Sequence, residues 1–139
     1  DMKLDSVPHL EINIELEKII QKYNSQIVYT TPHNDLNKDH QLVFESTLVA
    51  TRPLSSNVKQ VFCYELPGLV KTPFQPTVYE NVKNEFSYKI RAFKMYKSEM
   101  TEFPHSRSIE SIENLSTQRG IESGLQRAES FQLIRSILD

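Results

Sequence analysis

The chain has a single cysteine, Cys63, in 139 residues, so no disulfide can form within it. Small disulfide-stapled secreted scaffolds are therefore excluded, and a reducing cytosol is the expected compartment. No apolar run approaches the roughly 18 residues of a membrane-spanning helix. Neither sign of charge is in marked excess, with 16 basic side chains against 18 acidic ones. Without a basic block or stripe, nothing points to nucleic acid or to an anionic membrane surface as a partner. Internal repeats, low-complexity tracts and a second domain boundary are also missing.

What remains is a globular balance, 38% apolar and 24% charged, sufficient for one domain over residues 1–139 with its own core. Cys63 lies in the apolar run "VFCYEL" and is expected to be a buried small hydrophobe rather than a nucleophile. The opening "DMKLDSVP" has no targeting character and reads as a loop entered mid-chain. The expectation is that Asp1 is not the start of the gene product.

Helical spacing begins at Pro8, where Leu16, Ile19, Ile20 and Tyr23 fall at i, i+3, i+4 and i+7. Ser6 is a candidate cap. "QIVYTT" is too short for a helix and rich in β-branched residues, predicting a buried strand over Ile27 to Thr31. A second helix is expected from about Asn37, a good cap residue, to just before Pro53, with Leu36, His40, Val43, Thr47 and Ala50 on one stripe. A strand from Val58 to Leu66 follows. Helix, strand, helix, strand predicts an α/β fold with a parallel sheet and crossover helices. "TVYENV" suits a short strand. A helix is expected from Lys83 with Phe86, Ile90, Phe93 and Met100 on one face. Another should be capped by Ser108 and stopped at Gly120. The last stretch, "AESFQLIRSILD", fits both patterns: Ser130, Ile134 and Ile137 suit a helix, Phe131 and Leu133 alternate as in a strand, and a strand over Glu129 to Ile134 is the preferred reading.

The densest chemistry lies between the first strand and the second helix. From His33 to His40 the chain packs two histidines, two aspartates and two asparagines into eight residues. In parallel α/β sheets ligands bind at the carboxyl ends of strands, and a helix N-terminus favours negative charge. Imidazole and carboxylate are the usual ligands of catalytic zinc, so His33, Asp35 and His40 have the right types for a metal site within this chain. The same composition also suits an Asx-rich turn that merely caps a helix. His9, in the first turn of a helix, is expected to be an ordinary surface residue. "FPHSRS" sets His105 and Arg107 in a loop between helices, where they could clamp an anion or tie down the loop.

Taken together, "HNDLNKDHQLVFESTLVATRP" and the later "PHSRS", "RG" and "AESF" resemble the zinc-dependent N-deacetylases of the PIG-L / LmbE-like family. The first stretch is similar to that family's D-x-N/H-x-D-H segment, followed by a helix ending in A-T-R-P. The later ones are similar to its P-H-P-R-S, R-G and A-E-x-F series. The resemblance implies a Rossmann-like three-layer fold with a parallel sheet and flanking helices. It also shows what is not here, since the family's H-P-D-D segment does not occur. The chain therefore looks like the carboxyl-terminal part of such a domain, with the N-terminal βα units missing.

The resemblance implies a hydrolase that removes N-acetyl groups from an amino sugar or its conjugate, with Zn2+ as cofactor. His40 would be a zinc ligand. Asp39 would orient a neighbouring group, and Asn37 stands where many members have a histidine. His105 matches the histidine of P-H-P-R-S and would serve as a general acid. Arg107 and Asp35 would contact substrate, while His33 matches less sharply. Alone, the chain would be inactive and would need the missing N-terminal segment or a partner copy. The alternative is a non-catalytic sugar-binding or assembly module of the same fold.

Overall fold

The computed structural model describes residues 3–68 and 70–138. They form four strands and four α-helices: α1 (His9–Tyr23), β1 (Ile27–Thr30), α2 (Lys38–Ala50), β2 (Gln60–Tyr64), β3 (Val78–Asn81), α3 (Phe86–Met95), α4 (Ile109–Ser123) and β4 (Ala128–Ser136). A short 3-10 turn, Leu4–Ser6, precedes α1. Two compact units emerge. The first contains the described residues of 3–65, 70–75 and 131–138; the second contains Leu66–Gly68 and Pro76–Ser130. None of the described helices is long and apolar enough to cross a membrane.

In the first unit, β1 runs parallel to β2, with Ile27 opposite Gln60 and Thr30 opposite Cys63. This pairing needs a crossover, and α2 supplies it. β4 lies against β2 in the opposite sense, Tyr64 facing Phe131, with an irregularity at Val61/Phe62. The α/β class expected from the sequence is present, but the sheet is mixed rather than all parallel. The strand–helix alternation that forecast parallel pairing holds only as far as β2. β4 follows two consecutive helices and enters beside β2 from the other end.

Alternation along the strands decides the burial. Val61 and Cys63 of β2 are fully buried on one face. On the other face, Tyr29 stacks on Phe62 with centroids 5.4 Å apart, and Phe131 tilts against Tyr29 at 5.2 Å. The core joins Ile20, Ala50, Val58 and Val61, with Leu16, Val28 and Ile134 around them. Of the stripe expected on α1, Leu16 and Ile20 turn inward, whereas Ile19 and Tyr23 remain exposed. Ser6 does not cap α1. Its hydroxyl donates to the Lys3 carbonyl, and Pro8 holds the cap position. Asn24 ends α1 in the left-handed region with φ 47°, a conformation asparagine tolerates well.

In the second unit, β3 hydrogen-bonds to β4 and packs beside α4. Phe86, at the start of α3, is buried under the Arg127 guanidinium, whose centre is 4.3 Å from the ring. α3 ends at Met95, leaving Met100 outside the helix. α4 starts on Ser108 as expected but does not stop at Gly120; it runs on to Ser123 and closes at Gly124, φ 72°. Gly120 serves a different purpose. A Cβ there would lie 2.7 Å from the Leu125 carbonyl oxygen, so the absence of a side chain lets the chain fold back.

Candidate functional site

β1 ends at Thr30, and its continuation is held from three sides. Thr30 and Thr47 join hydroxyl to hydroxyl at 3.0 Å, and the Thr31 hydroxyl donates to the His40 carbonyl at 2.7 Å. The Cys63 thiol donates to the Thr31 carbonyl at 3.3 Å. Asn34, buried at 5% exposure, donates through Nδ2 to the Thr72 carbonyl at 2.6 Å, while its own carbonyl accepts the Lys71 N–H. The eight-residue polar segment is thus a fixed turn rather than a loose one.

Within that turn Asp35 is the hub. Its Oδ1 accepts the Asn37 backbone N–H at 2.8 Å, an Asx turn. Its Oδ2 lies 2.7 Å from Nδ1 of His40. Its carbonyl accepts from the Gln41 side chain at 2.8 Å. Asn37 then caps α2 by accepting the Asp39 N–H through Oδ1 at 2.9 Å. That bond assigns the amide, with Oδ1 as the acceptor and Nδ2 as the donor. Asp39, in the first helical turn, accepts the Leu4 N–H at 3.0 Å. The carboxylates of Asp35 and Asp39 both sit where the helix dipole favours negative charge.

His40 is the third residue of α2, as expected, with about a third of its side chain exposed against 14% for Asp35. His33 stays apart. It is exposed, with its ring 5.5 Å from that of Phe44. Among the described residues, no group of three or more His, Cys, Asp or Glu side chains is placed to hold one metal ion. A self-contained site of His33, Asp35 and His40 is thereby corrected: His33 packs on an aromatic ring, and Asp35 turns to the imidazole of His40.

Two groups beside the turn have shifted acidities. Burial pushes the Cys63 thiol up to about 11, only partly offset by a backbone contact with His33. The thiol is fully buried and acts as a hydrophobe, as the sequence predicted. Tyr64, the last residue of β2, is raised above its usual value by burial first, and then by the charges of Asp35 and Cys63. Nothing in the sequence around Tyr64 singles it out, because only the strand register sets it beside the turn.

In the second unit His105 and Arg107 share one tight loop. His105 Nδ1 accepts the Arg107 backbone N–H at 3.0 Å, and the Arg107 carbonyl accepts the Thr101 N–H at 3.0 Å. The His105 carbonyl takes the Ser111 hydroxyl and the Ser108 N–H. Ser108, fully buried, caps α4 by accepting the Ser111 N–H at 3.1 Å. Arg107 is exposed and ion-paired with Glu99. Because Nδ1 of His105 is an acceptor, the neutral imidazole carries its proton on Nε2. The chain therefore offers two rigid clusters, Asp35–Asn37–His40 and His105–Arg107.

No family model matches the chain. In sequence it is 32% identical over 103 residues to the uncharacterized deacetylase YaiS of Escherichia coli (strain K12), a match covering 68% of this chain and 53% of that protein. The chain thus spans about half the length of the curated relative it matches. In structure it resembles teicoplanin deacetylase Orf2, solved in a zinc-inhibited form, with a TM-score of 0.69 at 23% identity over 94% of this chain and 53% of that one. It also resembles GalB, the 4-carboxy-2-hydroxymuconate hydratase of Pseudomonas putida KT2440, with a TM-score of 0.72 at 16% identity over 94% and 60%. The resemblance to deacetylases read from the sequence, and the fold it implied, are borne out. The hydratase shows that the fold alone does not decide the reaction.

Proposed function

We propose that this chain, which resembles the LmbE-like deacetylases in sequence and shares their fold, is the carboxyl-terminal part of a zinc-dependent hydrolase. That enzyme removes an N-acetyl group from an amino sugar or its conjugate in the cytosol. The observation that carries the reading is the Asp35–His40 pair, 2.7 Å apart, where β1 gives way to α2. It occurs in a chain 32% identical to a deacetylase.

His40 is the one zinc ligand we assign to this chain. With Nδ1 turned to Asp35, Nε2 makes no hydrogen bond among the described residues and is the nitrogen a metal would take. One imidazole is too few to hold a catalytic ion, and we assign the remaining ligands to the rest of a longer protein or to a partner copy. When bound, zinc polarises an amide carbonyl and makes a water acidic enough to attack it. The chain's own residues do the rest. Asn37, its Oδ1 on the Asp39 N–H, keeps Nδ2 as a donor and is assigned to a developing oxyanion. Asp39 has one oxygen on the Leu4 N–H and the other left to orient a neighbour. His105 is assigned as the acid for the leaving amine, a role that takes its imidazolium form: Nδ1 is protonated and gives up the Arg107 N–H, and the Nε2 proton passes to the amine, leaving the neutral ring. Arg107 contacts substrate hydroxyls or phosphate, exchanging its bond to Glu99 for one to substrate.

The test is acetate release from N-acetylated amino sugars by the full-length protein carrying this chain, with zinc content measured on the same sample. Acetate released by zinc-loaded protein and lost on chelation supports the reading. Stoichiometric zinc with no deacylation across amino-sugar conjugates contradicts it.

A further inference from the structure

Asp35 looks at first like a substrate-binding carboxylate, being polar, near a strand end and beside a helix N-terminus. Its contacts leave it little to offer a substrate. One oxygen is taken by the Asn37 N–H, the other by His40, and only 14% of the side chain is exposed. Asp39, the acid next to His40 in sequence, cannot replace it. Adjacent helical residues do not face each other, and the Asp39 carboxylate is instead on the Leu4 N–H. Asp35 reaches the imidazole from outside the helix because the Asx turn bends the chain back across the first turn of α2.

We propose that Asp35 is the positioning residue for His40, holding its ring with the proton on Nδ1 and the lone pair of Nε2 turned outward for a metal. A carboxylate 2.7 Å from Nδ1 accepts that proton's hydrogen bond, which fixes the tautomer. It also fixes the ring plane, because Asp35 is itself clamped at three points: Asn37 N–H, His40 Nδ1 and the Gln41 side chain. A carboxylate behind an imidazole makes the far nitrogen a stronger donor to a metal. The assignment rests on the zinc reading above, yet the pairing is observable without zinc.

The experiment uses the full-length protein with 15N-labelled histidine. First, the His40 ring nitrogens are read by NMR in metal-free protein. Zinc chloride is then titrated while the same signals are followed. The wild type should show a protonated Nδ1 and a bare Nε2, with Nε2 responding to zinc. Asp35→Ala should lose that tautomer preference and bind zinc about tenfold more weakly or worse. Asp35→Asn keeps the size but has one acceptor oxygen for two donors; with that oxygen on the Asn37 N–H, its Nδ2 faces Nδ1, so the His40 proton should move to Nε2 and zinc should again bind more weakly. A merely structural aspartate would leave the His40 tautomer unmoved. An unchanged His40 tautomer in Asp35→Ala, or wild-type zinc affinity in both variants, overturns the proposal. If Asp35→Ala fails to fold, Asp35→Asn carries the test through its zinc affinity. A protonated Nδ1 with no response of His40 to zinc supports the pairing and overturns the zinc assignment instead.

Discussion

Thr30 of β1 and Thr47 of α2 meet hydroxyl to hydroxyl at 3.0 Å in a seam where both side chains are buried. Thr47 also donates to the Val43 carbonyl at 2.7 Å, so Thr30 is the donor of the pair and Thr47 its acceptor. This bond fixes the start of the polar turn relative to the helix that carries His40. Thr47→Val should strand the Thr30 hydroxyl without a partner and cost about 1–3 kcal/mol. Thr30→Val removes the donor itself and should cost less. The double variant should be more stable than the sum of the single losses predicts. Urea unfolding of the four proteins checks this; strict additivity would show that the hydroxyls do not interact.

Gly120 sits inside α4, with the Leu125 carbonyl oxygen 2.7 Å from where a Cβ would stand. The contact is with backbone, which cannot swing aside. Gly120→Ala should therefore destabilise by about 1–3 kcal/mol despite alanine's better helix propensity. At Gly124 nothing lies within 4 Å, but φ is 72°, so Gly124→Ala should cost about 1 kcal/mol from backbone strain alone. Thermal unfolding that ranks Gly120→Ala as the milder change would contradict the packing role.

Burial raises the Cys63 thiol to about 11 from 9.0. An acid whose folded-state value is raised adds stability below the unfolded value and loses that contribution as pH rises through the folded one. Stability should thus fall between about pH 9 and 11 more in the wild type than in Cys63→Ala measured against its own neutral-pH value. Native Cys63 should also resist a thiol reagent at pH 8 and react at once in denaturant. Rapid labelling of folded protein would show that the thiol is not sequestered.

His105→Ala in the full-length enzyme should lower kcat by on the order of 10² while zinc stays bound, the loss expected of a general acid. Arg107→Ala should instead act mainly on KM, since Arg107 is exposed and paired with Glu99. Unchanged turnover in His105→Ala would leave the residue as a tie within its loop, through the bonds to Arg107 and Ser111.

Much of this was legible from residue order. β1, β2 and α2 were readable because β-branched runs and a helical stripe occupy separate short segments. Asn37 and Ser108 were readable as caps because capping is local chemistry. The antiparallel entry of β4 was not, since pairing direction depends on the path of the chain through α3 and α4. Gly120 read as a helix stop because a glycine after arginine looks like a terminus. Its real reason, the approach of the Leu125 carbonyl, is a tertiary contact. In the candidate site, the residue types were plain, but the partner of His40 was not. Asp39 adjoins it in sequence, while Asp35 reaches it through an Asx turn that only the folded backbone shows.

The central claim is that His40 holds zinc for a deacetylase. The most direct measurement is metal content and acetate release on the same preparation of full-length His40→Ala, next to the wild type. The variant should fold, lose bound zinc and lose activity together. Wild-type zinc content in folded His40→Ala, or deacetylation that survives the substitution, would contradict the assignment.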